Sequence, residues 1–533
     1  MSVGVLALLA LLPIVLIFVL LIVFKVPTHW AAVIGWVVTV AIAMAFFSTS
    51  LEVALRSSWA GIVSSLGITL LIGAAVFQIG YMEETGAIQR ITAFIKTLAP
   101  DNEAAQTMIV GNGAGTTLVS IGATPVAILP PIFKGLGYSD FLAVALPAIG
   151  FIGLDAYGML AICMVAVSGL LGIDLVALNQ MVVLFLPVVS TACAFAMLYL
   201  IGGWKSVRSG WAPALIAGLS GSLVCVLIAY VPFLQGAILL SGVIAGIVIM
   251  AAEMAYLKVR GYRLFDDGRL DDADRASIAS LSLAKALSPW ILMIIFLCAT
   301  NFIPPLYDLL ANQWACPVEV IPGSKIAIKP LWNAYTWAFV ATILSAAILR
   351  PSKQQVTGTL RKFAQRAPKP MIAVCVFYAL GILMNNTGMD PAAGWKIVDP
   401  ETNMISVLAM ASTDLFGALF PLIAAPLTVV GAFVTSSQTS ACVMFAKYFV
   451  TGSASLGINF MVLLAIAVIA GGVASVISPA KLLNASATIG ADGADREALR
   501  KVLAPTLVII VICMILCFIA CQVMPPLPSP PGF

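Results

Sequence analysis

Histidine occurs once in this sequence, at His29, and charged residues make up only 9% of its 533 positions. Metal-dependent chemistry inside a membrane draws on several histidines or paired carboxylates within apolar segments. A single interfacial histidine beside a lone central aspartate argues against an enzyme of that class. No CxxC pair occurs, and the ten cysteines lie almost entirely in apolar runs, among them Cys163, Cys225, Cys375, Cys513, Cys517 and Cys521. Disulfide frameworks, metal sites and other resident cofactors are not expected. No GxxxxGK[ST] loop is present, so transport would be driven by a gradient rather than by ATP hydrolysis in this chain. A run of buried lysines and glutamates along the midplane, the mark of a proton-translocating subunit of a larger complex, is not evident either.

What is abundant is hydrocarbon. Hydrophobic residues reach 62% and the mean hydropathy is +1.09, far from soluble composition. The sequence reads as an all-α polytopic membrane protein in a lipid bilayer, because its apolar runs reach the roughly 20 residues a helix needs to cross. Candidate spans are 3–24, 31–47, 61–81, 140–168, 175–200, 210–232, 235–257, 285–304, 331–349, 370–387, 457–478 and 504–524, about twelve in number. The first is too long for a signal-peptide core and has no basic residue before it, so it reads as a retained span. The net charge of +4 sits in short loops and reports topology, not nucleic acid.

Two segments, 106–133 and 421–450, are apolar but interrupted by glycine, proline and polar clusters, and read as re-entrant hairpins or broken helices. The basic stretches 204–208, 258–285 and 350–369 fall on one side, which the positive-inside rule makes the cytoplasm. With that orientation the two interrupted segments enter from opposite faces, the pattern of an inverted-topology repeat. The expected organisation is an N-terminal half (1–257), a solvated cytoplasmic loop (258–284), a C-terminal half (285–525) and a disordered tail (526–533). The stretches SLEVALRSSW and GAIQRITAFIKTLAP look amphipathic and are expected at the interface.

In GNGAGTTLVSIGATPVAILPP (111–131), Gly113 and Gly115 permit close turning, Thr116, Thr117, Ser120 and Thr124 offer hydroxyls, and Pro125 suits the start of a half-helix with free amides. Two readings stand: an anion-binding turn, or small residues for close helix packing. In GAFVTSSQTSACVMF (431–445), the six polar residues Thr435, Ser436, Ser437, Gln438, Thr439 and Ser440 form a second polar break or a surface loop. Asp155, amid apolar sequence, is the candidate proton-coupling acid, with helix capping as the alternative. Asp414 stands nearer an interface. Asn385 and Asn386 either line a cavity or cap a helix. Glu253, close to Lys258 and Arg260, is expected to snorkel to the surface. No arginine lies at membrane depth to hold an anion by charge.

The start LLALLPIVLIFVLLIVFKVPTHWAAVIGWVVTVAIA, the segments GATPVAILPPIFKGLGY and FVTSSQTS, and the stretch AGGVASVISPAKLLNASATIG resemble the lactate permease family, in the same order over nearly the whole chain. The resemblance implies a bacterial inner-membrane secondary transporter for a small monocarboxylate, lactate or glycolate, with the proton as coupling ion. The family's first signature typically reads Glu-Gly-Ala-Ala-Gly-Phe-Gly-Ala-Pro-Val-Ala; here only Gly122-Ala123-Thr124-Pro125-Val126-Ala127 matches, and the acid is absent. Its second typically reads Thr-Gly-Ser-Asp-Thr-Ser-Ser, and Gln438 stands where the acid would be. Ile477-Ser478-Pro479 matches a third. Neutral groups at both acidic positions leave a different small organic anion or coupling ion as the alternative, and make Asp155 the candidate for the missing acid.

Overall fold

The computed structural model describes residues 2–530 except Lys25, Pro100, Arg269, Ser436, Ser475 and Asp492. Helices dominate, with two small antiparallel strand pairs, Cys316–Ile321 with Ser324–Ile328 and Met389–Asp390 with Lys396–Ile397. The strand pairs lie in loops and were not foreseen. Among the described residues, ten helices are long and apolar enough to cross a membrane, or eleven when Ser288–Phe302 and Pro304–Gln313, bent by 90°, count as one span. Two shorter apolar helices, Ala334–Leu349 and Phe460–Val473, accompany them.

Small residues set how closely these helices approach. Leu51–Glu84 runs for 34 residues against Pro368–Asn386, and a Cβ on Gly61 would fall 2.5 Å from Ala379 Cα and 2.6 Å from the Tyr378 carbonyl oxygen. Only glycine allows that contact. The SLEVALRSSW stretch is the opening of this long helix, with the Ser50 hydroxyl accepting from the Val53 amide at its N-terminus. The following amphipathic stretch forms a separate helix, Ala87–Lys96.

The 258–284 segment docks against that helix. Ala99 and Asp266 donate backbone hydrogen bonds to Leu264 and Thr97, Arg263 pairs with Asp101, and Lys96 Nζ lies 2.6 Å from Asp274 Oδ2. A capping box between Asp271 and Asp274 starts the short helix Asp272–Ser280. In the tail, the Pro525 carbonyl accepts from the Asn459 side chain, while residues 531–533 lie outside the described residues.

Both interrupted segments are helical hairpins. In the first, the entering arm runs through Glu103–Thr107, a π-helical stretch Met108–Ala114 and Gly115–Ser120, and the leaving arm is Pro125–Gly135. Gly122, at φ 87°, turns the chain between them. Gly111 faces Phe133 and Gly115 faces Leu129, an antiparallel register centred on that turn. In the second, Ala424–Thr435 packs on Gln438–Leu456, with Gly431 against Ala441 and Phe445. Each hairpin is followed by a broken span: Asp140–Gly150 with Gly158–Leu171, and Phe460–Val473 with Pro479–Thr488. The second pair corrects an expectation, since 457–478 was read as one span and Lys481 as loop.

Candidate functional site

The first broken span opens at Asp155. Between Asp140–Gly150 and Gly158–Leu171 lies a 3₁₀ turn, Ile152–Tyr157, and Met159, Leu160 and Ala161 then take left-handed backbone angles with φ of 48°, 58° and 57°. An L-residue in that region costs roughly 1–2 kcal/mol. Strain of this kind is held in place by surrounding packing and clusters at functional sites. The turn is pinned at Tyr157, whose hydroxyl donates to Asn179 Oδ1 at 2.7 Å. Asp155 is 6% exposed. The sequence expected an unbroken helix here.

Asp155 meets the second half of the chain at Gly472, at the end of Phe460–Val473. A Cβ on Gly472 would stand 2.9 Å from Asp155 Cβ, 3.2 Å from Asp155 Oδ2 and 3.3 Å from Gln438 Nε2. The Gln438 amide also donates to the Val468 carbonyl at 2.7 Å, and Cys442 Sγ lies 3.5 Å from the Ala467 carbonyl oxygen. The start of the leaving arm of the second hairpin is thereby fixed to the helix that carries Gly472. Ser437 caps that arm, accepting from the Ser440 amide at 3.2 Å.

The positive charge missing from the sequence reading comes from Lys481. It lies in Pro479–Thr488, the second arm of the broken span, and interacts electrostatically with Asp155. No ion pair within 4.0 Å joins the two among the described residues, so the charges attract across a gap. A lysine two residues beyond a helix-starting proline reads in sequence as the beginning of a charged loop.

A cavity of about 1870 Å³ is bounded by Leu160 of the strained turn, the neighbouring Ile162, Tyr378, Asn385, Asn386 and Lys447. Tyr378 is close enough to Cys163 and Cys442 to interact with both, and Cys163 in turn interacts with Cys442 and Asp155. Lys447 was also missed by the sequence reading: one lysine between Ala446 and Tyr448 does not disturb an apolar run.

The remaining candidates are spread unevenly. Asn385 lines the cavity with its Oδ1 unpartnered, whereas Asn386 donates to Ser57 Oγ at 3.3 Å. Gly113 and Thr117 pack on Gly246 of Ser241–Val259, and the Thr117 hydroxyl donates to the Gly113 carbonyl at 3.0 Å. Gly115 packs beside Phe151. Thr116 and Ser120 are buried with hydroxyls that lack partners. Thr124 stands exposed at the tip of the first hairpin. Gln438, Thr439 and Ser440 begin the leaving arm of the second hairpin. Ser436 and the Thr435 side chain lie outside the described residues. Of the described candidates, Asn385 and Asn386 line the large cavity.

A bundle of apolar helices interrupted at a buried charged site is the architecture of a multi-pass membrane transport protein. The chain belongs to the L-lactate permease family, whose model matches residues 6–524. It is 27% identical to the L-lactate permease of Salmonella typhimurium over 536 residues, covering 94% of this chain and 93% of that protein. The glycolate permease GlcA of Escherichia coli is 24% identical, with 95% and 94% covered. The L-lactate permease of Bacillus subtilis is 23% identical, with 95% and 94% covered.

Proposed function

We propose that the protein is a secondary carrier that brings a small monocarboxylate, lactate or glycolate, across the bacterial inner membrane together with a proton. The observation that carries this reading is the meeting of Asp155 and Gln438 on Gly472 with Lys481 facing the carboxylate. The names of the related permeases support the substrate class.

The chemistry follows from charge balance. A carboxylate at membrane depth is costly unless it is paired, and Lys481 balances Asp155 when no substrate is bound. An incoming lactate competes for the same ammonium. Two carboxylates cannot share one cation at low cost, so Asp155 takes a proton as the substrate anion takes Lys481. Anion and proton then move as a neutral pair. The Gln438 amide orients the substrate hydroxyl, and Ser437, Thr439 and Ser440 at the start of the same arm surround it. On the first hairpin the hydroxyls of Thr116, Ser120 and Thr124 supply the matching wall, and Gly113, Gly115 and Thr117 pack the arm that carries them. Asn385 and Lys447 guide the anion from the cavity.

The order of a hairpin followed by a broken span, present in both halves, supports alternating access by an inverted repeat. The basic loops support a cytoplasmic position for the 258–284 segment. The test is uptake of labelled lactate and glycolate into proteoliposomes with and without an inward proton gradient. Uptake that rises with the gradient and is competed by short 2-hydroxy acids is expected. Gradient-independent uptake, or none from folded protein, counts against this reading and favours another small anion or coupling ion, to which the neutral Gln438 points.

A further inference from the structure

A second buried carboxylate stands apart from this site. Glu253, in Ser241–Val259, was expected to reach toward Lys258 and Arg260 at the surface. The structure corrects that: Glu253 is 0% exposed, and neither carboxylate oxygen has a hydrogen-bond partner. The Ala217 backbone of Trp211–Tyr230 approaches it, but without hydrogen-bond geometry, and a mid-helix amide is already engaged in the helix's own ladder.

Its surroundings are defined by three helices. On one side Gly221 of Trp211–Tyr230 packs against Ile249, and one turn further along Ala217 meets Glu253. On the other side runs the entering arm of the first hairpin: Ser120 packs on Gly242, Thr117 on Gly246 and Gly113 on Met250. Continuing that register brings Glu253 level with the start of the π-helical stretch Met108–Ala114. Irregular π-helical turns inside helices recur at functional sites.

Among the described residues, no cation forms an ion pair with this carboxylate. Trp211–Tyr230 contains no Asp, Glu, Lys, Arg or His; its titratable groups are Cys225 and Tyr230, two turns or more from Ala217. Met108–Ala114 has no titratable residue, and Glu103–Thr107 contributes only Glu103, of like charge. The turn bearing Asp155 and Tyr157 packs at the Gly242 end, roughly 16 Å away along the helix. On its own helix Tyr256 and Lys258 follow, with Lys258 about 7.5 Å further toward the basic end. An ionised carboxylate with no partner in such a seam costs several kcal/mol, and such groups neutralise.

We propose that Glu253 is a proton-binding site that couples protonation to the packing of the first hairpin against Trp211–Tyr230 and Ser241–Val259. With the seam closed, one carboxylate oxygen carries the proton as an O–H bond. When the hairpin arm moves away and water enters from the Lys258 end, the proton passes to water and the carboxylate is left hydrated. No other bond forms or breaks. The inference rests on the carrier reading, but its site is distinct from Asp155.

The test uses the full-length protein in liposomes. Amide hydrogen exchange of residues 108–120 is measured across pH for the parent, Glu253→Gln and Glu253→Asp. After correction for the intrinsic base-catalysed exchange rate, the protection of the parent arm is expected to fall at high pH. In Glu253→Gln, permanently neutral, that pH dependence disappears, and in Glu253→Asp it remains. The ratio of gradient-driven uptake to counterflow falls at least about tenfold in Glu253→Gln, as expected when one obligatory protonation state is removed. Should Glu253→Gln fail to fold, the infrared carbonyl band of a protonated carboxyl in the parent, titrating with the opening of the arm, supports the site, and no such band overturns it. Equal pH-dependent exchange in parent and Glu253→Gln also overturns it. A parent that transports no monocarboxylate counts against the carrier reading, while the exchange measurement still judges Glu253.

Discussion

Asp155 and Gln438, from opposite halves of the chain, converge on Gly472, where a single added methyl would stand 3.2 Å from the carboxylate oxygen and 3.3 Å from the amide nitrogen. One glycine thus keeps open the space between the strained turn of the first half and the polar tip of the second.

Gly472→Ala fills that space. Its Cβ would lie 2.9 Å from Asp155 Cβ, tighter than side chains tolerate, so the neighbours must shift. Overpacking of this kind costs about 1–3 kcal/mol. A lowered melting temperature is expected, together with a loss of counterflow larger than the loss of folded protein. Parental transport by Gly472→Ala would show that this space is not used.

Lys481→Gln removes the cation facing Asp155. Lys481 is only half-buried and makes no direct ion pair with Asp155, so the loss of stability should be small, while the proposed anchor for the substrate carboxylate is removed. The KM for lactate in counterflow should rise at least about tenfold. Lys481→Arg, which keeps the charge, should recover part of the loss. Equal KM values in the parent and Lys481→Gln would place the anion elsewhere, with Lys447 the next cation to test.

Gly113→Ala separates packing from binding in the first hairpin. Its Cβ would come 2.5 Å from Met250 Cγ and 3.2 Å from the Gly246 carbonyl oxygen. Methionine can yield but backbone cannot, so a destabilisation of about 1–3 kcal/mol is expected. Thermal unfolding checks it. An unchanged melting temperature would show that the helices separate freely at this point.

The 258–284 segment offers a pH test outside the membrane. The Asp274 backbone amide, donating to Asp271 at 2.8 Å, and after it Lys96 hold the Asp271 carboxyl below its ordinary value of 3.8. A depressed carboxylate stabilises the folded loop fully above that ordinary value, and the stabilisation is lost as pH falls through the lower folded value. Cleavage of the 258–284 segment by pepsin should therefore accelerate as pH drops below 3.8. In Asp271→Ala cleavage should be fast throughout and depend less on pH. Matching pH profiles would show that the capping box does not order this loop.

The parts legible in the sequence were those whose residue types resist a helix. GNGAG, GATP and VTSSQTS break an apolar pattern with glycine, proline and hydroxyls, and both segments became hairpins. Asp155 stood out because nothing around it is polar. The turn at 159–161 gave no such signal: Met, Leu and Ala are good helix formers, and tertiary packing alone holds them left-handed. Lys481 was hidden by position, since a lysine after Ser-Pro resembles the exit from a span. Glu253 was misread because sequence separation from Lys258 says nothing about which face of the helix is covered.

The most direct test is the ratio of proton-gradient-driven uptake to counterflow exchange for Asp155→Asn in proteoliposomes. Asparagine keeps the shape and cannot carry the proton. The account predicts that gradient-driven uptake is abolished while exchange of lactate across the membrane is still measurable. Gradient-driven uptake equal to that of the parent would contradict the assignment of the coupling proton to Asp155.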